Sequence, residues 1–382
     1  MVEWYKVRAN MKKNILILYT NYGTGHYMAA KAISEYIQEN YSEYNVIMFD
    51  PLSFSRPIIN KIFAKTGNIV ATKFRRFRGI LYKKKMYKNY TKNSFYFKFC
   101  IKLFWTKKLE NKLLEFNPSI IISTQVGPTG LVGWYKDLFN AKLISVFTDY
   151  GIHRMYTVSH EYVDLYCVPT NDIKEQMIDI GIDMNKLVVT GIPVRGCFKV
   201  NDNCNKLKVV EKYKLDSNKP IFLFVCGGGL GLANAFKYFK ELLKFDYDFS
   251  YIFVSGKNED LYRKALEVSK NSDKNGVVLG YVEDMDLLIE SSDLVFGKPG
   301  GILTSEALNL GVPICAIEPI PGQETNNASF ISTNKFGFYI SNIDEFIDFL
   351  GKLKTETIEL SNYKKNIVAK FKKFSFLDIN KL

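Results

Sequence analysis

Short, fully apolar runs recur along this chain, each followed by a polar or glycine-rich turn and then a stretch of helical periodicity. Asn14–Tyr19 (NILILY) opens the series; a loop at Thr20–Tyr27, a helix from about Met28 to Asn40 and a strand at Val46–Phe49 follow. Runs without alternation are the mark of strands buried on both faces. Strand, glycine loop, helix and strand in that order predict a doubly wound parallel sheet. The region 57–115 interrupts the alternation and reads as two or three helices. Strands resume at Ile120–Ser123, Lys142–Phe147, Leu165–Val168 and Leu187–Thr190, with a helix over 171–180.

Asp202–Pro220 is polar and lysine-rich and reads as a linker. A second alternation begins beyond it, with strands at Ile221–Val225, Tyr251–Val254, Val277–Leu279, Leu294–Phe296 and Ile314–Ile317. Helices are expected over 234–244, 258–269, 284–291, 303–310, 324–332 and 343–373. The α/β pattern predicts two Rossmann-like domains facing across a cleft, over residues 12–200 and 201–360. Residues 361–382 are expected to form a helix that crosses back onto the first domain.

At 382 residues the chain is longer than one usual core supports, which agrees with two domains. No window of about 20 residues is apolar without charge, so no transmembrane helix is expected. The N-terminus has no secretory signal pattern. Six scattered cysteines with no CxxC pair read as buried or free thiols of a reduced, cytosolic protein without a structural metal. Net charge is +13, and it is concentrated. Between Lys73 and Lys112 there are fourteen Lys or Arg against one acid, Glu110, with eleven aromatic residues interleaved. Arg75, Arg76, Arg78, Lys83, Lys84, Lys85 and Lys88 are the centre of this segment. Basic and aromatic residues together suit a nucleic acid or the anionic headgroup layer of a membrane.

Candidate chemistry gathers after the strands. Gly23-Thr24-Gly25-His26 follows the first strand, where open parallel sheets place ligands. It is neither a dinucleotide fingerprint, since Met28 stands at the third glycine position, nor a P-loop. His26 can take a proton from an attacking hydroxyl near neutral pH. Asp149 and His153, in Thr148–His153 (TDYGIH), are placed to orient that base or to meet the acceptor. Gln125 and Arg195 follow strands on the same side. In the second domain Cys226–Gly231 (CGGGLG) is a phosphate-cradle candidate through Gly228 and Gly229. The stretch 297–307 (GKPGGILTSEA) supplies Gly300, Gly301 and Thr304 at a helix start, and Glu306 at ribose-like hydroxyls. Pro319–Glu324 (PIPGQE) puts Gln323 beside Glu324, an amide and a carboxylate suited to sugar hydroxyls. Asp246/Asp248 and Asp284/Asp286 have DxD spacing, but they read as a turn and a helix start, and no metal is assigned.

These stretches resemble the diacylglycerol glycosyltransferase family: processive diacylglycerol glucosyltransferases and monogalactosyldiacylglycerol synthases, relatives of the lipid-linked N-acetylglucosaminyltransferase of peptidoglycan synthesis. YGTGH at 22–26, TDYGIH at 148–153, VTGIPVR at 189–195, GKPGGILTSEA and PIPGQE carry the resemblance over roughly residues 12–370. It implies a GT-B fold, a UDP-hexose donor (UDP-glucose or UDP-galactose) and a membrane diacylglycerol acceptor. It also implies inversion to a β-glycoside without a bound metal or other cofactor. The resemblance puts His26 near the acceptor hydroxyl, Gly228 and Gly229 at the diphosphate, Glu306 at the ribose, and Gln323 and Glu324 at the hexose. Gln125 stands where relatives commonly carry histidine. A polyprenyl-linked or other glycolipid acceptor, or a non-catalytic UDP-sugar sensor, are the alternatives. The basic segment is then expected to hold the enzyme on the inner face of the cell membrane, and no nucleic-acid partner is expected.

Overall fold

The computed structural model describes residues 13–21, 24–55, 101–152, 156, 160–200, 205–226, 235–371, 373 and 375. The basic segment from Arg75 to Lys88, the glycine loop with Gly228 and Gly229, and His153 lie outside the described residues. The described chain divides by its contacts into two units: residues 1–148, 152–195 and 374–382 in one, 149–151 and 196–373 in the other.

The first unit holds β1 (Lys13–Leu18), β2 (Tyr44–Phe49), β3 (Ile120–Ser123), β4 (Lys142–Val146), β5 (Leu165–Val168) and β6 (Leu187–Val189). They form one parallel sheet in the order β2-β1-β3-β4-β5-β6. The apolar runs alternate between its two faces. Ile15, Ile17, Ile122 and Ile144 pack with Ile33 and Ile37 of the helix Thr24–Asn40. Leu16, Leu18, Ile121, Leu143 and Phe147 pack on the other face with Leu109 and Leu113 of the helix Lys107–Phe116.

The second unit holds β7 (Ile221–Val225), β8 (Ser250–Val254), β9 (Asn275–Leu279), β10 (Leu294–Gly297), β11 (Ile314–Ile317) and β12 (Gly337–Ile340). Their order is β12-β11-β10-β7-β8-β9, again all parallel. One face is aromatic: Phe222, Phe224, Phe253 and Phe296 pack with Phe239, Phe346 and Phe349. Phe224 and Phe296 stack at 4.7 Å between adjacent strands. Sheets of this kind leave a crevice at the carboxyl ends of the strands where the order reverses. Those points are β1/β3 in the first unit and β7/β10 in the second.

The structure departs from the sequence reading in several places. The expected linker contains a helix, Asn205–Tyr213, anchored by buried Val209 and by Lys206–Asp293 and Lys212–Asp284 ion pairs of 3.2 and 2.8 Å. The division between units falls at Arg195, not after residue 200. β12 was not expected, and 343–373 is two helices, Ile343–Lys354 and Leu360–Lys370. The last helix does not cross to the first unit: Ile367 is buried with Leu308 and Phe336, and Lys364 pairs with Asp293 at 2.7 Å. Only after it does the chain rejoin the first unit, where the Ser375 N–H donates to Thr190 O at 2.9 Å.

Two glycines separate packing from conformational cost. A Cβ on Gly337 would lie 1.9 Å from the Ile314 carbonyl oxygen, whereas one on Gly351, inside the helix Ile343–Lys354, would meet nothing within 4 Å. In urea unfolding, Gly337→Ala is expected to cost ~3 kcal/mol or more, since backbone cannot yield to the added carbon. Gly351→Ala is expected to stabilise by about 0.5–1 kcal/mol through helix propensity.

Candidate active site

In the first unit the chain leaves β1 at Tyr19 and enters the helix at Thr24, so Gly25 and His26 lie in its first turn and not in a loop. Asp50, at the end of β2, holds the intervening segment: its carboxylate accepts from the Asn21 N–H at 3.0 Å and the Leu52 N–H at 2.9 Å. Burial raises the Asp50 pKa against these bonds.

His26 is fixed from the end of β3. Thr124 Oγ1 donates to the His26 carbonyl at 2.9 Å, and the Thr124 N–H bonds Leu18 O at 3.0 Å. The imidazole Nδ1 lies 2.8 Å from Thr124 O and 3.1 Å from Thr148 Oγ1. A carbonyl oxygen only accepts, so Nδ1 carries the proton and Nε2 keeps its lone pair. Burial lowers the pKa below the usual histidine value, opposed by the Thr124 bond. The result is a neutral base of set tautomer at the β1/β3 reversal. Its orienting contacts come from Thr124 and Thr148, where the sequence reading assigned Asp149. Gln125 is occupied as the N-cap of the helix Val126–Gly133, its Oε1 accepting from the Gly127 N–H at 2.6 Å. Arg195, after a turn at Gly191 (φ 81°), is half-buried at the end of the unit.

In the second unit β10 ends at Gly297, and the helix Gly301–Asn309 starts after Lys298–Gly300. Gly300 has an ordinary φ of −66°, and a Cβ there would meet nothing within 4 Å. Neither backbone nor packing within the chain demands glycine, and the space beside it is open to a ligand. Thr304 is fully buried and its Oγ1 has no hydrogen-bond partner among the described residues. Glu306, a carboxylate on the same helix, is 8% exposed.

The PIPGQE loop is held in an unusual backbone. Glu318 before it has φ 40° and receives a 2.8 Å bond from Tyr238 Oη, and Gly322 has φ 119°, which only glycine adopts easily. Gln323 and Glu324 then open the helix Gln323–Thr333. Glu324 accepts from the Ile320 N–H at 2.7 Å and pairs with Lys298 at 2.5 Å, tying this loop to the one after β10.

Asp149–Gly151 belongs by its contacts to this unit. The Asn327 amide, with no exposed surface, accepts from the Tyr150 N–H at 2.6 Å and donates to Asp149 Oδ1 at 2.9 Å and Pro299 O at 2.8 Å. Tyr150 stacks on Phe330 at 3.9 Å and its hydroxyl meets Ser305 Oγ at 2.8 Å. Burial, with Glu324 nearby, pushes the Asp149 pKa up to about 6 against the Asn327 bond. Asn327, Tyr150 and Ser305 were missed in the sequence. Asn327 lies four residues after Gln323, hence on the same helix face, and that spacing was the available signal.

Three of the four DxD carboxylates lie in ion pairs: Asp246 with Lys354 at 2.5 Å, Asp248 with Lys219 at 2.7 Å, and Asp284 with Lys212 at 2.8 Å.

Residues 26–194 match the monogalactosyldiacylglycerol (MGDG) synthase family. The processive diacylglycerol beta-glucosyltransferase of Bacillus licheniformis is 32% identical over 365 residues, covering 94% of this chain and 91% of that protein. Its namesake in Bacillus subtilis is 31% identical over 374 residues, with the same coverage of 94% and 91%. Among solved structures, Acinetobacter baumannii MurG aligns with a TM-score of 0.58 at 12% identity over 94% of each chain. The S. aureus MnaA–UDP co-structure aligns with a TM-score of 0.60 at 13% identity, covering 94% of this chain and 92% of that one. At such identities these two likenesses carry the fold: two α/β domains of GT-B type.

The His26 geometry is open to direct measurement. In 15N NMR its ring is expected to show the Nδ1–H tautomer at pH 7 and to titrate below the ordinary 6.5. Because the folded pKa is lowered, the unfolded chain binds the extra proton. His26 therefore favours folding above pH 6.5, and that contribution is lost as the pH falls through the folded pKa.

Proposed function

This chain belongs to the processive diacylglycerol beta-glucosyltransferase family, and from that premise we propose that it transfers a hexose from a UDP-sugar to the 3-hydroxyl of a membrane 1,2-diacylglycerol. The product is a β-glycosyldiacylglycerol, and the role is glycolipid biosynthesis. The observation that carries this reading is the neutral imidazole of His26, its Nδ1 proton held by Thr124 and its other nitrogen left as a base.

The reaction is a single displacement. The acceptor oxygen attacks the hexose anomeric carbon from the face opposite the diphosphate, and the carbon–oxygen bond to the diphosphate breaks. The hydroxyl proton passes to His26 Nε2. The imidazolium so formed keeps its Nδ1–H on the Thr124 carbonyl, which favours the charged ring. On the donor side, the open space at Gly300 admits the diphosphate, and Glu306 accepts from the ribose hydroxyls. Gln323 and Glu324 face the hexose: Glu324 keeps lone pairs beyond those used by Lys298 and Ile320. Charge growing on the leaving group is met by helix N-termini and backbone N–H groups, so the proposed chemistry calls on no metal.

No helix among the described residues is long and apolar enough to cross a membrane. The acceptor is a lipid, so the enzyme must work at a bilayer surface. The fourteen basic residues between Lys73 and Lys112, mixed with aromatics, supply the attraction. Each is worth about 1 kcal/mol near an anionic surface. We place the protein as a peripheral enzyme on the inner face of the cell membrane.

Purified protein with UDP-glucose and UDP-galactose in parallel, on vesicles of diacylglycerol and anionic lipid, is expected to give a β-hexosyl lipid by thin-layer chromatography; polyprenyl lipid as the better acceptor would overturn the acceptor assignment. His26→Ala is expected to lower turnover by roughly 10²–10⁴-fold with UDP affinity unchanged. Equal loss of both would make His26 a structural residue. Reversing the charges of Lys83, Lys84, Lys85 and Lys88 together is expected to abolish co-sedimentation with anionic liposomes, and unchanged sedimentation would reject the basic segment as the anchor.

A further inference from the structure

The start of the helix Gly301–Asn309 already carries an anion. Asn327 holds Asp149 beside Pro299, two residues before Gly301, the first helical residue. Asn327 has no freedom to release it cheaply: the same amide nitrogen bonds Pro299 O, and its oxygen receives the Tyr150 N–H. Stacking of Tyr150 on Phe330 and its bond to Ser305 fix the adjoining residue. A Cβ on Gly151 would fall 2.4 Å from Asn326 Nδ2, so the third residue of the segment is fitted closely as well.

Among the described residues the charged groups around this carboxylate are few. From the helix Gln323–Thr333 comes Glu324, paired with Lys298 of the loop after β10. The helix Gly301–Asn309 contributes Glu306, with its N-terminal N–H groups on the attractive side. Tyr150, beside Asp149, is pushed far above its ordinary pKa by burial and stays neutral. Lys298 is already matched by Glu324, so the pair adds little net charge. An incoming diphosphate diester brings two further negative charges toward the open space at Gly300, one residue from Pro299, whose carbonyl shares the Asn327 amide with Asp149.

We propose that Asp149, clamped by Asn327 at the start of this helix, is a resident anion of the donor site, and that binding of a nucleotide diphosphate is coupled to uptake of a proton by its carboxylate. The inference rests on the donor reading above and adds to it. Protonation removes the repulsion and leaves Asp149 able to donate, while Asn327 can still bond the carbonyl oxygen. The proton comes from solvent, and no covalent bond changes. The upward shift of Asp149 already noted puts the transition within reach of physiological pH.

The test is calorimetry of UDP-glucose binding to the full chain without acceptor, at pH 7, in buffers of differing ionisation enthalpy. UDP-glucose is used because its diphosphate diester does not itself titrate near neutrality. A carboxyl titrating near 6 is protonated in about one molecule in ten at pH 7, and a shift of about one unit on binding gives an uptake of roughly 0.4 proton. Affinity should then be roughly fivefold tighter at pH 6 than at pH 8. Asp149→Asn should remove both the uptake and the pH dependence. Asn327→Ala removes a donor that favours the carboxylate and should move the midpoint of the pH dependence upward. A structural role alone would weaken binding equally at all pH values. Heat that is the same in every buffer overturns the proton coupling while leaving the donor site standing. Absence of any heat overturns the donor reading and this inference with it.

Discussion

A parallel sheet whose crossovers switch sides must leave a crevice where the strand order reverses, and both sheets obey that constraint at one place. Between β1 and β3 the constraint brings a helix start next to the end of a neighbouring strand, so Thr124 can hold the backbone and the ring of His26 together. Between β7 and β10 it leaves Lys298–Gly300 outside the strand ends, directly before a helix. Neither arrangement needs a long loop. The proposed chemistry would therefore rest on residues whose backbones are fixed by the sheets, which is the condition for holding reacting groups in register.

Burial acts on the two titratable groups in opposite senses because it always penalises the charged form. It lowers His26 and raises Asp149. The sign of the pH linkage differs accordingly. His26 favours folding above 6.5. Asp149 binds its proton more tightly when folded, so its contribution is full below the ordinary carboxylate range and is lost as the pH rises through about 6.

Much of this was legible in the sequence. Strands buried on both faces announce themselves as unbroken apolar runs, and β1, β7, β10 and β11 were found that way. β12 was not: Phe338 and Tyr339 follow a glycine whose absent side chain matters only because Ile314 O lies against it, a contact no local pattern encodes. The helix Val126–Gly133 has no polar face, since six of its residues are buried, so periodicity could not reveal it. The helix in the expected linker is held largely by ion pairs to distant aspartates, which composition disguises as a solvated tether. The sequence reading set Asp149 to orient His26 or to meet the acceptor, and its hydrogen-bond partner lies elsewhere. Asn327 binds its carboxylate and the Pro299 carbonyl together, and only the folded chain brings positions 149, 299 and 327 to one place.

The backbone around Pro319–Glu324 has a last consequence. Two prolines, a glycine at φ 119° and a left-handed Glu318 tied to Tyr238 leave this segment little freedom to rearrange. A rigid segment loses little entropy when a sugar settles on it, and it also cannot follow a sugar of different shape. Epimers that differ in the direction of one hydroxyl would meet the same immovable acceptors, one of them leaving a buried polar atom without its partner. Selectivity would then arise as a penalty against the misfit and not as a bonus for the match.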